Sequence, residues 1–341
     1  MSNNILQKQK VAEAMNALAQ GSVVYIPVKN KRNLVEYKAI SKEISAADAR
    51  LEGKPDLPPK AILFPQTETL LTFKRESGKF VVRPVTPVGR EKVIFAVRPC
   101  DAIGIALMDR VFCGGKFVDS YYEERRNRTT IFTIACDGPA DSYCFCPSTG
   151  GGPAATEGSD VMLYDVGDAY YVDGLTDKGK KTLKTIESQL GQATADQEKR
   201  KEEIIKKAQA AEGFGRQIGQ EAISKLDTSF DSKYWEEVAR RCLSCGACTY
   251  YCPTCHCFDI NDEKGGKRVR TWDSCQFGIF TMHTSGHNPR AGKTQKLRNR
   301  YYHKFKYSKE NIGRFLCVGC GRCVALCPAS LDITKVISEV K

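Results

Sequence analysis

The chain has 341 residues, 41% hydrophobic and 27% charged, a globular composition with room for two or three domains. Sixteen cysteines in so long a chain exclude the small secreted scaffold that needs disulfides because it lacks a core. The formal charge of +12 counts every cysteine as neutral, so metal-bound thiolates would offset part of it, and basicity alone does not imply nucleic acid.

In chain order, MSNNILQKQKVAEAMNAL is expected to form an amphipathic helix. It lacks the apolar stretch and cleavage site of a signal peptide, and no run approaches the roughly eighteen apolar residues of a membrane span. The expectation is a cytoplasmic protein, in which clustered thiols bind metal more often than they pair. From Ser22 to about Asp173, the runs SVVYIPV, KFVVRP, KVIFAV, TTIFTIA, VMLYD and AYYVD have strand length and composition, with AIGIALMDR and SYYEERR helical between them. These predict a mixed α/β domain over residues 1–176, with loops at PDLPPK and STGGGPAATEG. Residues 177–229 turn to Lys, Glu, Gln and Ala and read as a charged helical connector. Residues 230–341 open with a helix in DSKYWEEVARR that Asp231 is placed to cap, and they hold eleven of the sixteen cysteines.

Cys242, Cys245, Cys248 and Cys252 precede Pro253, and Cys317, Cys320, Cys323 and Cys327 precede Pro328, so C-x2-C-x2-C-x3-C-P occurs twice. Three thiolates at this spacing wrap one face of a [4Fe–4S] cubane, and in two-cluster ferredoxins the fourth cysteine ligates the other cluster. The expected ligand sets are Cys242, Cys245, Cys248 and Cys327 for one cluster, and Cys317, Cys320, Cys323 and Cys252 for the other. Zinc favours two separated pairs, a scheme in which the third cysteine has no place. Sixty-four residues separate Cys252 from Cys317, too many for a compact hairpin-linked ferredoxin, and helix-compatible sequence flanks both motifs. The expected fold class is therefore α+β, the mixed α/β domain being followed by a mostly helical two-cluster ferredoxin domain.

Cys100 falls between the strand KVIFAV and a helix that Asp101 would cap, where the helix N-terminus stabilises a thiolate. Cys136 ends a second strand, and Cys144 and Cys146 follow in a loop rich in Gly and Pro. Strand ends of an α/β sheet share an edge, so these four cysteines can converge. Their spacing alone leaves a cluster, a zinc ion and buried structural thiols all open.

Together VRPCDA, CFCPSTGGGP, YYEERR, CPTCHCFDI, RTWDSCQFGIFT, GHNPR, YYHKFKY and CVGCGRCVALCP resemble one family, from about Ser22 to Ile333. It contains the iron–sulfur β subunit of soluble sulfhydrogenases (NiFe hydrogenases) and the A-type subunit of anaerobic sulfite reductase. The resemblance implies a protein that relays single electrons through [4Fe–4S] clusters between a catalytic oxidoreductase subunit on one side and a FAD- and NAD(P)H-binding reductase subunit on the other. It also implies a third [4Fe–4S] cluster on Cys100, Cys136, Cys144 and Cys146, and leaves Cys113 as a structural thiol. A heterodisulfide-reductase-like or electron-bifurcating complex is the alternative assembly, and an iron–sulfur nucleic-acid-binding protein the alternative class.

GFGRQIG follows a helical stretch instead of a strand, and GHNPRAGKT has five residues where a phosphate loop needs four. No flavin or NAD(P) site and no catalytic acid–base machinery is expected in this chain. Cys255, Cys257 and Cys275, with His256 nearby, read as thiols packed around the clusters. His283, His287 and His303 lack helical metal-ligand spacing. Gly286 to Lys309 carries eight basic residues, no acid and four interleaved aromatics. Lying between the motifs, it is expected to compensate cluster charge and dock an acidic partner in preference to RNA or DNA.

Overall fold

The computed structural model describes residues 4–87 and 89–341. Its strands are β1 (Asn4–Gln7), β2 (Val23–Lys29), β3 (Val35–Ala39), β4 (Thr67–Glu76), β5 (Lys79–Pro84), β6 (Lys92–Val97), β7 (Thr129–Ile134), β8 (Val161–Asp165), β9 (Ala169–Gly174), β10 (Leu190–Gln192), β11 (Phe258–Glu263) and β12 (Lys267–Trp272). One eight-stranded sheet has the order β10-β1-β9-β8-β7-β6-β2-β3. Its centre, β2, β6, β7 and β8, is parallel, and antiparallel strands extend both sides. The nearly continuous apolar runs of β6 and β7 suit central strands covered on both faces.

The end of β6 is bent by a bulge. Ile94 pairs with Ile131 but Val97 with Thr133, so one extra residue is inserted, and Ala96 takes a left-handed backbone with φ 61°. Side-chain parity shifts with it. Val93 and Phe95 pack beside the helix Val11–Gly21, whereas Ile94 and Val97 pack beside the helix Pro99–Cys113 on the other face. The bulge thereby sets the direction in which Arg98, Pro99 and Cys100 leave the sheet.

Several expectations change. Residues 4–7 form β1 instead of extending the first helix, because Ile5 and Leu6 are buried within the sheet between β9 and β10. The segment 177–229 is helical over Asp177–Lys184, Ala195–Ala210 and Gln220–Ser224, but it also supplies β10. Its longest helix lies on the sheet, with Ile204 and Ile205 against Met162 and Tyr164, so it is less solvated than its charge suggests.

A second sheet, β11-β12-β4-β5, joins hairpin β4–β5 to a hairpin from the insert between the motifs. Across it, buried Arg270 of β12 bonds Glu68 of β4 at 2.5 and 2.8 Å and also Asp119. The sheet crosses the boundary expected near residue 230 and gives the two-cluster region strand as well as helix. Asp231 does not cap the helix there. That helix spans Tyr234–Arg241, and Ser232 Oγ accepts from the Tyr234 N–H at 3.3 Å. A helical core of Trp235, Tyr301, Phe305, Ile333 and Ile337 surrounds the motifs, and Phe145 enters it from the N-terminal half.

Candidate metal centres

The two cysteine motifs fold alike. Ser244 and Gly319 occupy corresponding positions, as do Gly246 and Gly321, and all four have left-handed backbones, with φ of 53°, 60°, 76° and 74°. A single helical turn follows each, Ala247–Tyr250 and Arg322–Ala325. This path turns backbone N–H groups toward sulfur, as where Ser244 donates to Cys242 Sγ at 3.3 Å. At Gly319 a Cβ would lie 2.5 Å from the backbone of Cys146, so only glycine lets the second motif rest on the loop 143–146. Gly319→Val is expected to part these segments and lower the iron content of anaerobically purified protein. Unchanged iron would show the contact to be dispensable.

Cys242, Cys245, Cys248 and Cys327 line one pocket of about 530 Å³, together with Cys323, Arg300 and Tyr301. Cys245 is exposed, whereas Cys242 is buried. Cys252 is directed elsewhere, toward Cys317, Cys320 and Cys323. Burial chiefly, and then the charges of Cys252 and Cys320, push the Cys317 thiol up to about 11, with Lys304 opposing. Cys323 is raised in the same way, by burial and then by Cys317, Cys320 and Cys252.

Cys100, Cys136, Cys144 and Cys146 line another pocket, of about 320 Å³, which Lys54, Arg98 and Cys320 also border. Parallel register between β6 and β7 brings Cys100 and Cys136 out at one sheet edge. Cys136 N–H donates to the Pro153 carbonyl at 2.8 Å, and Phe145 N–H to the Gly319 carbonyl at 2.7 Å, which pins the loop carrying Cys144 and Cys146 to the second motif. Lys54 pairs with Asp141 at 2.8 Å, and its Nζ lies 3.5 Å from Cys144 Sγ. Cys113 packs instead with Phe64 and Tyr122 and borders neither pocket.

Asp101 is not the cap expected from sequence. The helix Pro99–Cys113 has Arg98 at its N-cap, and Asp101 lies inside the first turn, fully buried. Its carboxylate accepts from both terminal nitrogens of Arg322 at 2.5 and 2.7 Å, and Arg322 also donates to the Pro55 carbonyl at 2.8 and 2.9 Å. This ion pair ties the helix Pro99–Cys113, which carries Cys100 in its first turn, to the Cys320–Cys323 turn.

Part of the basic segment faces inward, although Lys293 and Lys309 remain exposed. Arg300 and Lys304 are 4% and 3% exposed, and Lys60, from the N-terminal half, is 2% exposed. Arg300 donates to the Cys248 carbonyl at 2.9 Å and lies 3.6 Å from Cys255 Sγ. Lys304 reaches Cys252 Sγ at 3.3 Å and the Leu316 carbonyl at 2.8 Å. Among the described residues, none of these three cations is paired with a carboxylate. A buried charge needs a counter-charge, and the sulfurs are the anions at hand. Burial would lower the pKa of Lys304, yet Cys252 and Cys255 hold it above its usual value.

The expected docking role therefore loses several of its charges. Arg298 stacks 3.6 Å over the Phe230 ring, and Lys306 pairs with Asp227 and Glu310. Tyr301, Tyr302 and Phe305 are buried and unavailable for stacking on bases.

Among the described residues, no three His, Cys, Asp or Glu side chains close around a single ion. Four thiolates on zinc meet at one point about 2.3 Å from each sulfur, whereas cubane ligands each bind a different iron and surround a space. Cysteine-lined pockets with inward N–H groups and buried cations fit the second arrangement, that of an iron–sulfur protein. Residues 241–331 match the family described as a 4Fe-4S dicluster domain. Sulfhydrogenase 2 subunit beta of Pyrococcus furiosus is 32% identical over 343 residues, covering 98% of this chain and 97% of that protein. The chain belongs to this family of sulfhydrogenase β subunits and is an iron–sulfur subunit of an oxidoreductase. No helix among the described residues is long and apolar enough to cross a membrane.

Proposed function

We propose that the chain is the electron-transfer subunit of a cytoplasmic multisubunit oxidoreductase, relaying single electrons between a catalytic partner of hydrogenase or sulfite-reductase type and a FAD- and NAD(P)H-binding reductase subunit. The observation that carries this reading is that the cysteine sets share walls. Cys320 borders the pocket of Cys100, Cys136, Cys144 and Cys146, while Cys323 borders that of Cys242, Cys245, Cys248 and Cys327. Cys252, Cys317, Cys320 and Cys323 thus stand between the other two sets. Three [4Fe–4S] clusters held by these twelve cysteines would supply one-electron chemistry when bound.

The chain's own residues hold, shield and bias those centres. Buried Phe145, Tyr301 and Phe305 exclude water around them, and Lys304 and Arg300 place positive charge beside the thiolates. Exposed Cys245 and Leu243 bring the first set to the surface, where a partner would exchange electrons. No flavin or nicotinamide site belongs to this chain in this reading.

The test is anaerobic reduction of the isolated chain. Dithionite should bleach its visible absorption and NADH or NADPH alone should not, until the flavoprotein partner is added. Direct reduction by either nucleotide, or tight binding of one, would overturn the assignment.

Lys304→Met gives a second measurement. Reduction adds negative charge beside Cys252, so losing the neighbouring cation should make that centre harder to reduce. A charge-assisted contact of about 1.4–2.8 kcal/mol corresponds to roughly 60–120 mV more negative for one electron. An EPR-monitored redox titration reads this shift, and an unchanged potential would show that Lys304 balances another group.

A further inference from the structure

The three proposed sets use twelve cysteines. Cys113 lies apart, and Cys255, Cys257 and Cys275 remain. We infer that Cys255, Cys257 and Cys275, with His256 as the fourth ligand, hold an additional iron–sulfur cluster. The inference rests on the iron–sulfur reading above and extends it to residues that sequence analysis treated as packing.

The three thiols line a common pocket of about 280 Å³ with His256, His303, Arg300 and Lys304. The hairpin brings them together. Cys257 precedes β11 and Cys275 follows β12, while Phe258 pairs with Trp272 and the Asp273 N–H donates to the Cys257 carbonyl at 2.9 Å. The paired strands thus leave the two thiols lining the same pocket.

His256 has the arrangement of a metal ligand. Its Nδ1 is 3.0 Å from the Thr254 carbonyl, which can only accept, so Nδ1 carries the proton and Nε2 keeps a lone pair. Metal-binding histidines are ordinarily fixed by such a bond from the other ring nitrogen.

Charge supplies a further argument. Arg300 and Lys304 also touch Cys248 and Cys252 and are accounted for by the neighbouring sets. Lys60 is not. It is buried, its Nζ donates to the Thr249 and Cys255 carbonyls at 3.1 and 3.0 Å, and it lies 4.2 Å from the centre of the Trp272 ring. Three neutral packed thiols would leave this cation only Cys252, which Lys304 already contacts, whereas a cluster on three thiolates and a neutral imidazole carries about −1 when oxidised. Cys275 lies near Cys248, and Cys255 lies near Cys252, so the site adjoins both ferredoxin-type sets as a branch from their junction.

The test is iron, zinc and acid-labile sulfide analysis of the full chain purified and reconstituted without oxygen, with EPR of the reduced protein. The expected content is about sixteen iron and sixteen sulfide, falling to about twelve in Cys257→Ser/Cys275→Ser with loss of one EPR component. His256→Ala should weaken retention of the same four irons, and His256→Cys should restore them with altered g values. About twelve iron in the unmodified chain, or the same iron in both proteins, would overturn this site while leaving the three-set reading intact. Stoichiometric zinc lost in the double variant would overturn it too. Iron below about eight in the unmodified chain would instead sink the reading beneath it.

Discussion

Asp101→Ala is expected to destabilise the protein by about 3–5 kcal/mol, because it strands the guanidinium of Arg322 at 2% side-chain exposure with no counter-charge. The fall in unfolding midpoint should be on the order of 10 °C, read by anaerobic thermal unfolding of metal-loaded protein. Asp101→Ala/Arg322→Met should recover part of the loss, since removing both charges leaves only the Pro55 carbonyl unpaired, at about 1–3 kcal/mol. The pair also joins the Cys100 helix to the second motif, so the single variant should load iron poorly at the sets on either side. A double variant no more stable than the single one would show that the pair does not act as a unit.

Cys136→Ser/Cys146→Ser should remove about four irons and four sulfides while leaving the signals of the two motif-bound centres. Its effect is expected to stay local because these side chains come from the β7 end and the following loop, whereas both motifs fold on the helical core around Trp235. One neighbour should respond. Cys320 borders the emptied pocket and Lys54 joins Cys144 to the Cys320 carbonyl, so the potential of the Cys317–Cys320–Cys323 centre should shift. Unchanged iron would show that the four N-terminal thiols hold no cluster. Loss of all iron from a folded chain would contradict separate sets.

The parts legible in the sequence are those built from short, local patterns. The C-x2-C-x2-C turns need only a few residues and two left-handed positions, so their spacing in the chain is already their conformation. Strands β2, β5, β6, β7, β8 and β9 are apolar runs bounded by turn residues, and Cys100 and Cys136 could be assigned to strand ends because each follows such a run. Strands β1 and β10 escaped notice because four and three residues are too few to show a period. Exposed β11 alternates only at Phe258 and Ile260 before running into Asn261, Asp262 and Glu263, too short a pattern to mark a strand.

What only the tertiary structure decided are relations between residues far apart in the chain. Asp101 looked like a helix cap until Arg322, 221 residues away, took its carboxylate. Arg300 and Lys304 belong to a segment expected to compensate cluster charge, but the packing decided that these two, together with Lys60 from the N-terminal half, are buried beside sulfurs. The reason is that composition records how much charge a chain carries, but not which face of a helix meets which loop. The sequence by itself determined which thiols this protein has and how the two motifs turn. Long-range pairing of β6 with β7 and of β12 with β4 decided which thiols share a wall and which cations stand beside them.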